Sequence, residues 1–159
     1  MQSNDDLVLV VDRTALIENL LNQVVEAFFR PRKEASMFFW DVLLDSSILP
    51  LGSKVKIALA ISQELKTTLE NDALHRVVSL RNAFAHHATN SHPVLTVGVT
   101  SEDDQSHYTL QIISNSGKIT KKRRGDALAD FNAAYESAKK SLLALLASIR
   151  ELQRPNASP

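Results

Sequence analysis

The sequence contains no cysteine, and only four glycines and five prolines occur among its 159 residues. The absence of cysteine excludes disulfide bonds, thiolate metal ligands and cysteine nucleophiles, and it fits a reducing compartment. The scarcity of glycine and proline favours long helices over a turn-rich β fold. The 18 basic residues balance the 18 acidic residues, so no net field points to nucleic acid or to a membrane.

Long hydrophobic runs are also absent. Residues 7–11 are apolar, but this run is far too short to cross a bilayer. Asp5 and Asp6 precede it, where a signal peptide would carry positive charge. We therefore expect a soluble, cytoplasmic protein with no membrane partner. The length predicts a single domain over residues 1–159.

The motifs of several enzyme classes are missing as well. The sequence has no Walker loop, no Rossmann glycines and no Ser-His-Asp arrangement. His75, His92 and His107 lack the spacing of metal ligands. We therefore expect neither a metal nor a cofactor.

Helical periodicity predicts a mainly α bundle of about five helices. Residues 1–11 form an N-terminal arm that either extends or leads into the first helix. The second helix is apolar on most sides, so we expect it to be central. A capping box at Thr67 and Glu70 opens the fourth. Four helices fill residues 12–88, at about 12–30, 32–44, 53–65 and 67–87.

A small antiparallel β-hairpin or meander is predicted within residues 94–123, before the last helix. Residues 94–100 and 108–114 are rich in β-branched and aromatic side chains, and residues 119–122 form a possible third strand. The last helix, within residues 126–153, has an apolar seam with alternating spacings of three and four. This seam packs inside the bundle or against a second subunit. We expect residues 154–159 to be disordered.

Arg81 stands out in the fourth helix. On a helical wheel, Leu74, Val77, Val78, Phe84 and Ala85 lie within roughly 60° of it, so it occupies the apolar stripe. Arginine is rarely buried without a partner. We therefore expect Arg81 to meet a carboxylate, a wet cleft, a subunit seam or a bound anion. A purely structural ion pair, with Asp41 or Glu18 as the partner, is the alternative to a functional site.

Arg81, Asn82 and His86 resemble the signature of the HEPN superfamily, in which a polar residue follows an arginine and a histidine lies four to six residues beyond it. Residues 51–60, followed by residues 80–86, are similar to the mannitol-operon repressor branch of that superfamily. The likeness covers about residues 40–88. It implies a HEPN-like helical bundle that forms a homodimer.

The resemblance also implies an activity, namely metal-independent cleavage of RNA at a site shared by two subunits. Arg81 and His86 would be catalytic, with Asn82 assisting. His87 could substitute for His86, although a solvated helix end is the favoured interpretation. The protein would then be an endoribonuclease, and a toxin or defence effector if an antitoxin partner inhibits it. The alternative is a non-catalytic transcriptional regulator that acts through protein contacts.

A basic cluster lies in and beside the last predicted strand, before the last helix. It could follow the phosphates of RNA, or it could be a solvated strand edge that prevents aggregation. Both interpretations stay open. The cluster consists of Lys118, Lys121, Lys122, Arg123 and Arg124.

Overall fold

The computed structural model describes residues 2–89, 109–114 and 116–153. This part of the chain is mainly helical, with a two-stranded antiparallel hairpin before the last long helix, and it confirms the predicted fold class. The elements are α1 (Gln2–Phe29), α2 (Ser36–Phe38), α3 (Leu51–Glu64), α4 (Asn71–Thr89), β1 (Thr109–Ile113), β2 (Ile119–Arg123) and α5 (Arg124–Leu152).

The two longest helices, α1 and α5, run parallel and side by side. At the start of both, the Arg124 Nε donates to the Asp6 Oδ2 at 2.9 Å. At the other end, the Gln153 side chain donates to the carbonyl oxygen of Ala27 at 2.5 Å. At about 1.5 Å per residue, helices of 28 and 29 residues are each about 42–44 Å long.

The apolar seam of α5 packs inside the bundle, against α1 and α4. Its central members are buried, as the alternating spacing predicted, because each falls on the same side of the helix. Leu128 is half-buried, and Leu152 at the end of the helix is exposed. The buried members are Phe131, Tyr135, Ala138, Leu142, Leu145 and Ile149.

The first helix begins at Gln2 rather than near Asp12, so residues 7–11 belong to it instead of forming an extended arm. Val10 is fully buried on the core side. Thr14 lies inside the helix and donates its hydroxyl to the carbonyl oxygen of Val10 at 2.7 Å. The burial of Val10 explains why the helix extends this far, since tertiary packing supplies most helical stability.

The prediction of a central second helix is wrong. Residues 33–43 form a 3₁₀ turn (Lys33–Ala35), the single turn of α2 and a π-helical turn (Phe39–Leu43), and none of their side chains is buried. Met37 is 77% exposed. The segment lies on the outside of the bundle because α1, α4 and α5 already pack against one another.

The predicted capping box does not start α4. Residues 67–70 are not helical, and α4 begins at Asn71. The Thr67 hydroxyl instead donates to the carbonyl oxygen of Ser62, near the end of α3. Lys66 has a positive φ of 54°, and this left-handed residue ends the preceding helix.

The hairpin pairs β1 with β2, with Ile113 opposite Ile119 next to the turn. Leu110 and Ile112 are buried, while both isoleucines of the terminal pair are exposed. This alternation follows the pleat of a strand. The predicted strand at residues 94–100 and the expected disorder of residues 154–159 lie outside the described residues.

In the described part of the chain, no helix is long and apolar enough to cross a bilayer.

Candidate functional site

Arg81, Asn82 and His86 are all exposed on α4. The Arg81 Nη1 donates to the Asn82 Oδ1 at 3.2 Å, so these two side chains meet directly. His86 lies five residues further on, about 140° around the helix from Arg81. One copy of α4 therefore presents the guanidinium and the imidazole in different directions.

The position of Arg81 in the apolar stripe of α4 does not bury it. The flanking residues Val78 and Ala85 are only half-buried, and Arg81 itself faces solvent. Among the described residues, Arg81 makes no ion pair with Asp41 or Glu18. Its position in the stripe and its exposure together mean that the described residues leave this part of the stripe uncovered.

The buried ion pair of the protein joins α3 to α1. Lys54 is only 1% exposed, and its Nζ donates to the Glu18 Oε1 at 2.5 Å. The Ser46 hydroxyl donates to the same oxygen at 2.6 Å. Lys54 can be buried because Glu18 provides a partner within the bundle.

The charge of Arg81 acts on this ion pair. Burial alone would raise the pKa of Glu18. The hydrogen bonds from Lys54 and Ser46, together with the positive charges of Lys54 and Arg81, overcome that effect and lower the pKa below its ordinary value. Arg81 therefore lies close enough to Glu18 to stabilise its ionised form.

An open pocket of about 280 Å³ adjoins the Glu18–Lys54 pair. The π-helical turn contributes Trp40, which is half-buried. The Asn22 Oδ1 is a buried atom in the pocket lining that accepts no hydrogen bond from the described residues. The full lining comprises Ala15, Glu18, Asn19, Asn22, Trp40, Leu44, Asp45, Ser46 and Lys54.

The sequence analysis did not identify the pocket residues, although the sequence carries a signal for one of them, Lys54. Lys54 lies four and seven residues before Ala58 and Ile61, both of which are buried, so it occupies the apolar stripe of α3. The wheel test that singled out Arg81 would have singled out Lys54 as well. For Glu18 and Asn22 we find no comparable local signal, because their roles depend on elements distant in the chain.

The basic cluster is divided by the structure. Lys122 forms an ion pair with Asp130, and Arg124 pairs with Asp6. Arg124 also lies over the ring of Phe84, 5.0 Å from its centroid. Lys122 therefore connects β2 to α5, and Arg124 connects α5 to α1 and α4. The remaining three are exposed, namely Lys118, Lys121 and Arg123.

Within the described ranges, no three or more His, Asp or Glu side chains form a group that could hold a metal ion. His75 is half-buried on α4. His92, His107 and the side chain of His87 lie outside the described residues. The chemistry available on the exposed part of α4 is that of the Arg81 guanidinium, the Asn82 amide and the His86 imidazole.

Comparison of the chain with protein-family models, curated proteins and solved structures finds no match.

Proposed function

We propose that the protein is a metal-independent endoribonuclease of the HEPN type. The observation that carries this proposal is the exposure of Arg81, an arginine in the apolar stripe of α4 that no carboxylate among the described residues pairs with. Asn82 and His86 are exposed on the same helix. A guanidinium that is available to solvent can bind a phosphate with two parallel hydrogen bonds.

The chemistry follows from these three side chains. His86 takes the proton from a ribose 2′-hydroxyl, whose oxygen attacks the adjacent phosphorus. Arg81 stabilises the negative charge that develops on the phosphorane, and Asn82 orients the guanidinium through their mutual contact. The 5′-oxygen leaves and takes up a proton from a second imidazole. The products are a 2′,3′-cyclic phosphate and a 5′-hydroxyl.

The second imidazole comes from a second copy of the chain. Arg81 and His86 point about 140° apart on one helix. One copy of the chain therefore cannot direct both its guanidinium and its imidazole at the same phosphate. A twofold axis beside α4 would place two arginines and two histidines in one cleft and cover the exposed part of the apolar stripe. The active unit in this proposal is a homodimer.

The test is RNA cleavage by the purified protein and by variants with single substitutions. We expect Arg81→Ala and His86→Ala each to lower the rate by about 10²-fold or more, because each removes a group that acts in the transition state. Arg76→Ala is the matched control, since Arg76 is an exposed arginine on the same helix. It should cleave at the wild-type rate, and EDTA should not inhibit.

Cleavage that survives both the Arg81 and the His86 substitution would show that the activity comes from a contaminant or from another site. A wild-type protein that cuts no RNA would remove the enzyme proposal altogether.

A second proposal is a non-catalytic regulator that acts through protein contacts. The observation that favours it is a group of exposed apolar side chains in and after the α2 region, which no described element covers. A partner protein would bury them. Under this proposal, Arg81→Ala and His86→Ala leave the regulatory activity intact, while serine substitutions in this group abolish it. The group consists of Met37, Phe38, Leu43 and Ile48.

A further inference from the structure

We propose that the outward face and tip of the β1–β2 hairpin bind the phosphates of the single-stranded RNA that is cleaved at α4. This inference rests on the proposed nuclease function and names the surface that holds the substrate. The cations of this surface are Lys118, directly before β2, and Lys121 and Arg123 on β2. All three are exposed, and none pairs with a carboxylate among the described residues.

The strand pairing separates the basic residues of β2 into two groups. Residues directly opposite each other in an antiparallel pair have their side chains on the same side of the sheet. Lys122 is opposite Leu110, which is fully buried, so this side packs onto the helices, and the Lys122 ammonium pairs with Asp130. Lys121 and Arg123 flank Lys122 along the strand, so they lie on the opposite, outward side.

The spacing of the two outward cations suits a nucleic-acid backbone. Two residues along a strand span about 6.4–6.8 Å, which is close to the separation of successive phosphates in an extended single strand. Lys118 lies three residues before Lys121 and extends the row to the tip of the hairpin. Positively charged surfaces of this kind follow the backbone of single-stranded nucleic acids.

The hairpin concentrates positive charge in a chain that has no net charge. Residues 109–125 contain five of the 18 basic residues and none of the 18 acidic residues. The rest of the chain therefore has an excess of acidic residues. An anionic polymer is attracted to the hairpin more than to the remaining surface, and this difference guides how it binds.

The hairpin lies beside the candidate catalytic helix. β1 packs against α4. The guanidinium of Arg124, one residue after Arg123, lies 5.0 Å from the centroid of the Phe84 ring. Phe84 lies on α4 between Asn82 and His86. A strand that is bound at α4 can therefore continue onto the hairpin.

The chemistry of this surface predicts binding that does not depend on the base sequence. In the described part of the hairpin, the outward side chains include Gln111, Ile113 and Ile119 but no aromatic ring on which a base could stack. Phosphate contacts release counter-ions, so the affinity falls as the salt concentration rises. The slope of log Kd against log salt is about 0.7 per contact for a single strand, so three cations contribute about 2.

The experiment measures the Kd for a fluorescent single-stranded RNA of mixed sequence by anisotropy, in His86→Ala protein so that the RNA stays intact. The test variant adds Lys118→Gln/Lys121→Gln/Arg123→Gln, which removes three charges and keeps polar side chains. We expect the Kd to rise about 100-fold at about 0.1 M salt and the slope to fall by about 2. The unfolding midpoint should stay the same, because all three side chains are exposed.

Two control variants carry comparable changes of charge. Lys122→Gln removes a cation from the same strand, but this ammonium already pairs with Asp130, so the salt slope should stay that of the parent. Lys33→Gln/Lys56→Gln/Lys140→Gln removes three exposed cations from other elements and should bind RNA with the Kd of the parent. If this variant lost as much affinity as the hairpin variant, net charge would explain the effect and the proposal would be wrong.

Three further results would overturn the proposal. The first is a hairpin variant that binds RNA as tightly as its parent, in which case the cations form a solvated strand edge that prevents aggregation. The second is a parent protein that binds no RNA even at low salt. The third is a loss of affinity for duplex DNA alone, which would assign the surface to a different nucleic acid.

Cleavage kinetics separate this proposal from the nuclease proposal. In protein that retains His86, the three hairpin substitutions should raise the KM for a long RNA, and they should affect a dinucleotide, which is too short to reach the hairpin, much less. A protein that binds RNA through the hairpin but cuts none would remove the nuclease and retain the surface. A protein that cuts long RNA with an unaltered KM after the three substitutions would do the reverse.

Discussion

Lys54 connects two helices that are distant in the sequence. It lies inside the bundle, and Glu18 lies 36 residues before it with 22% of its side chain exposed. The two partners are therefore unequal: the ammonium has no access to water, whereas the carboxylate has some, and Ser46 donates to it as well. An unpaired charge in the interior is strongly unfavourable, so the loss of the carboxylate should cost more than the loss of the ammonium.

We expect Glu18→Gln to lower the free energy of unfolding by about 2–3 kcal/mol, because it leaves the Lys54 ammonium buried without a counter-ion. Lys54→Met should cost about 1 kcal/mol or less, because methionine fills the same space without a charge. Urea denaturation measures both changes.

Lys56→Met serves as the control for this pair, because Lys56 is exposed on the same helix. The double variant Glu18→Gln/Lys54→Met should recover most of the stability lost in Glu18→Gln. If Lys54→Met proved the more destabilising of the two single substitutions, the assignment of the unequal roles would be wrong.

The lowered pKa of Glu18 makes its contribution to stability dependent on pH. The ordinary value is 4.5, and the folded value lies below it. The stabilisation is therefore complete above about pH 4.5 and is lost as the pH falls through the folded pKa. The difference in unfolding free energy between wild type and Glu18→Gln should shrink as the pH is lowered below 4.5. Urea titrations at a series of pH values measure it, and a constant difference down to acidic pH would contradict the expectation.

The elements differ in how much of them the sequence could predict. The α5 helix was predicted correctly because its apolar residues keep one period over many turns, and period is a local property. The prediction that the α2 region is a central, buried helix was wrong, because the composition of this region resembles that of a buried helix. Whether such a segment becomes buried depends on the space that the other helices leave, and no local pattern records that space.

The seam of α5 supplies a prediction with a neighbouring control. Leu142 is fully buried and Leu143 is 45% exposed. We expect Leu142→Asp to lower the free energy of unfolding by about 4 kcal/mol, because it removes core packing and buries a charge without a partner. Leu143→Asp should change it by about 0.5 kcal/mol or less. Thermal and urea denaturation measure both variants, and equal losses would show that the assigned side of α5 is wrong.

At the scale of the whole molecule, the homodimer proposal can be tested by complementation. If the arginine of one copy acts with the histidine of the other, a mixture of Arg81→Ala and His86→Ala proteins contains dimers with one intact pair. We expect this mixture, after exchange of subunits, to cut RNA faster than either variant alone. Light scattering measures the mass of each preparation. A mixture that stays as inactive as its components would contradict a site in which the arginine of one copy and the histidine of the other suffice for cleavage.

The sequence predicted some residues of the candidate site and not others, and the reason is physical. Asn82 and His86 lie outside the apolar stripe of α4 on a helical wheel, and both are exposed. The exposure of Arg81 could not be predicted, because a helical wheel gives an angle but not the height at which neighbouring helices stop covering that face. The pocket was out of reach, since it depends on α1, α3 and the π-helical turn meeting in space.

The parallel course of α1 and α5 restricts how the chain could be rearranged. Gln2 and Leu152 lie at opposite ends of two helices that are each about 42–44 Å long. A circular permutant that joined these two positions would need a linker of about 12 fully extended residues, at about 3.5 Å per residue. Fluorophores or fusion partners attached at the two positions would likewise lie at opposite poles of the bundle.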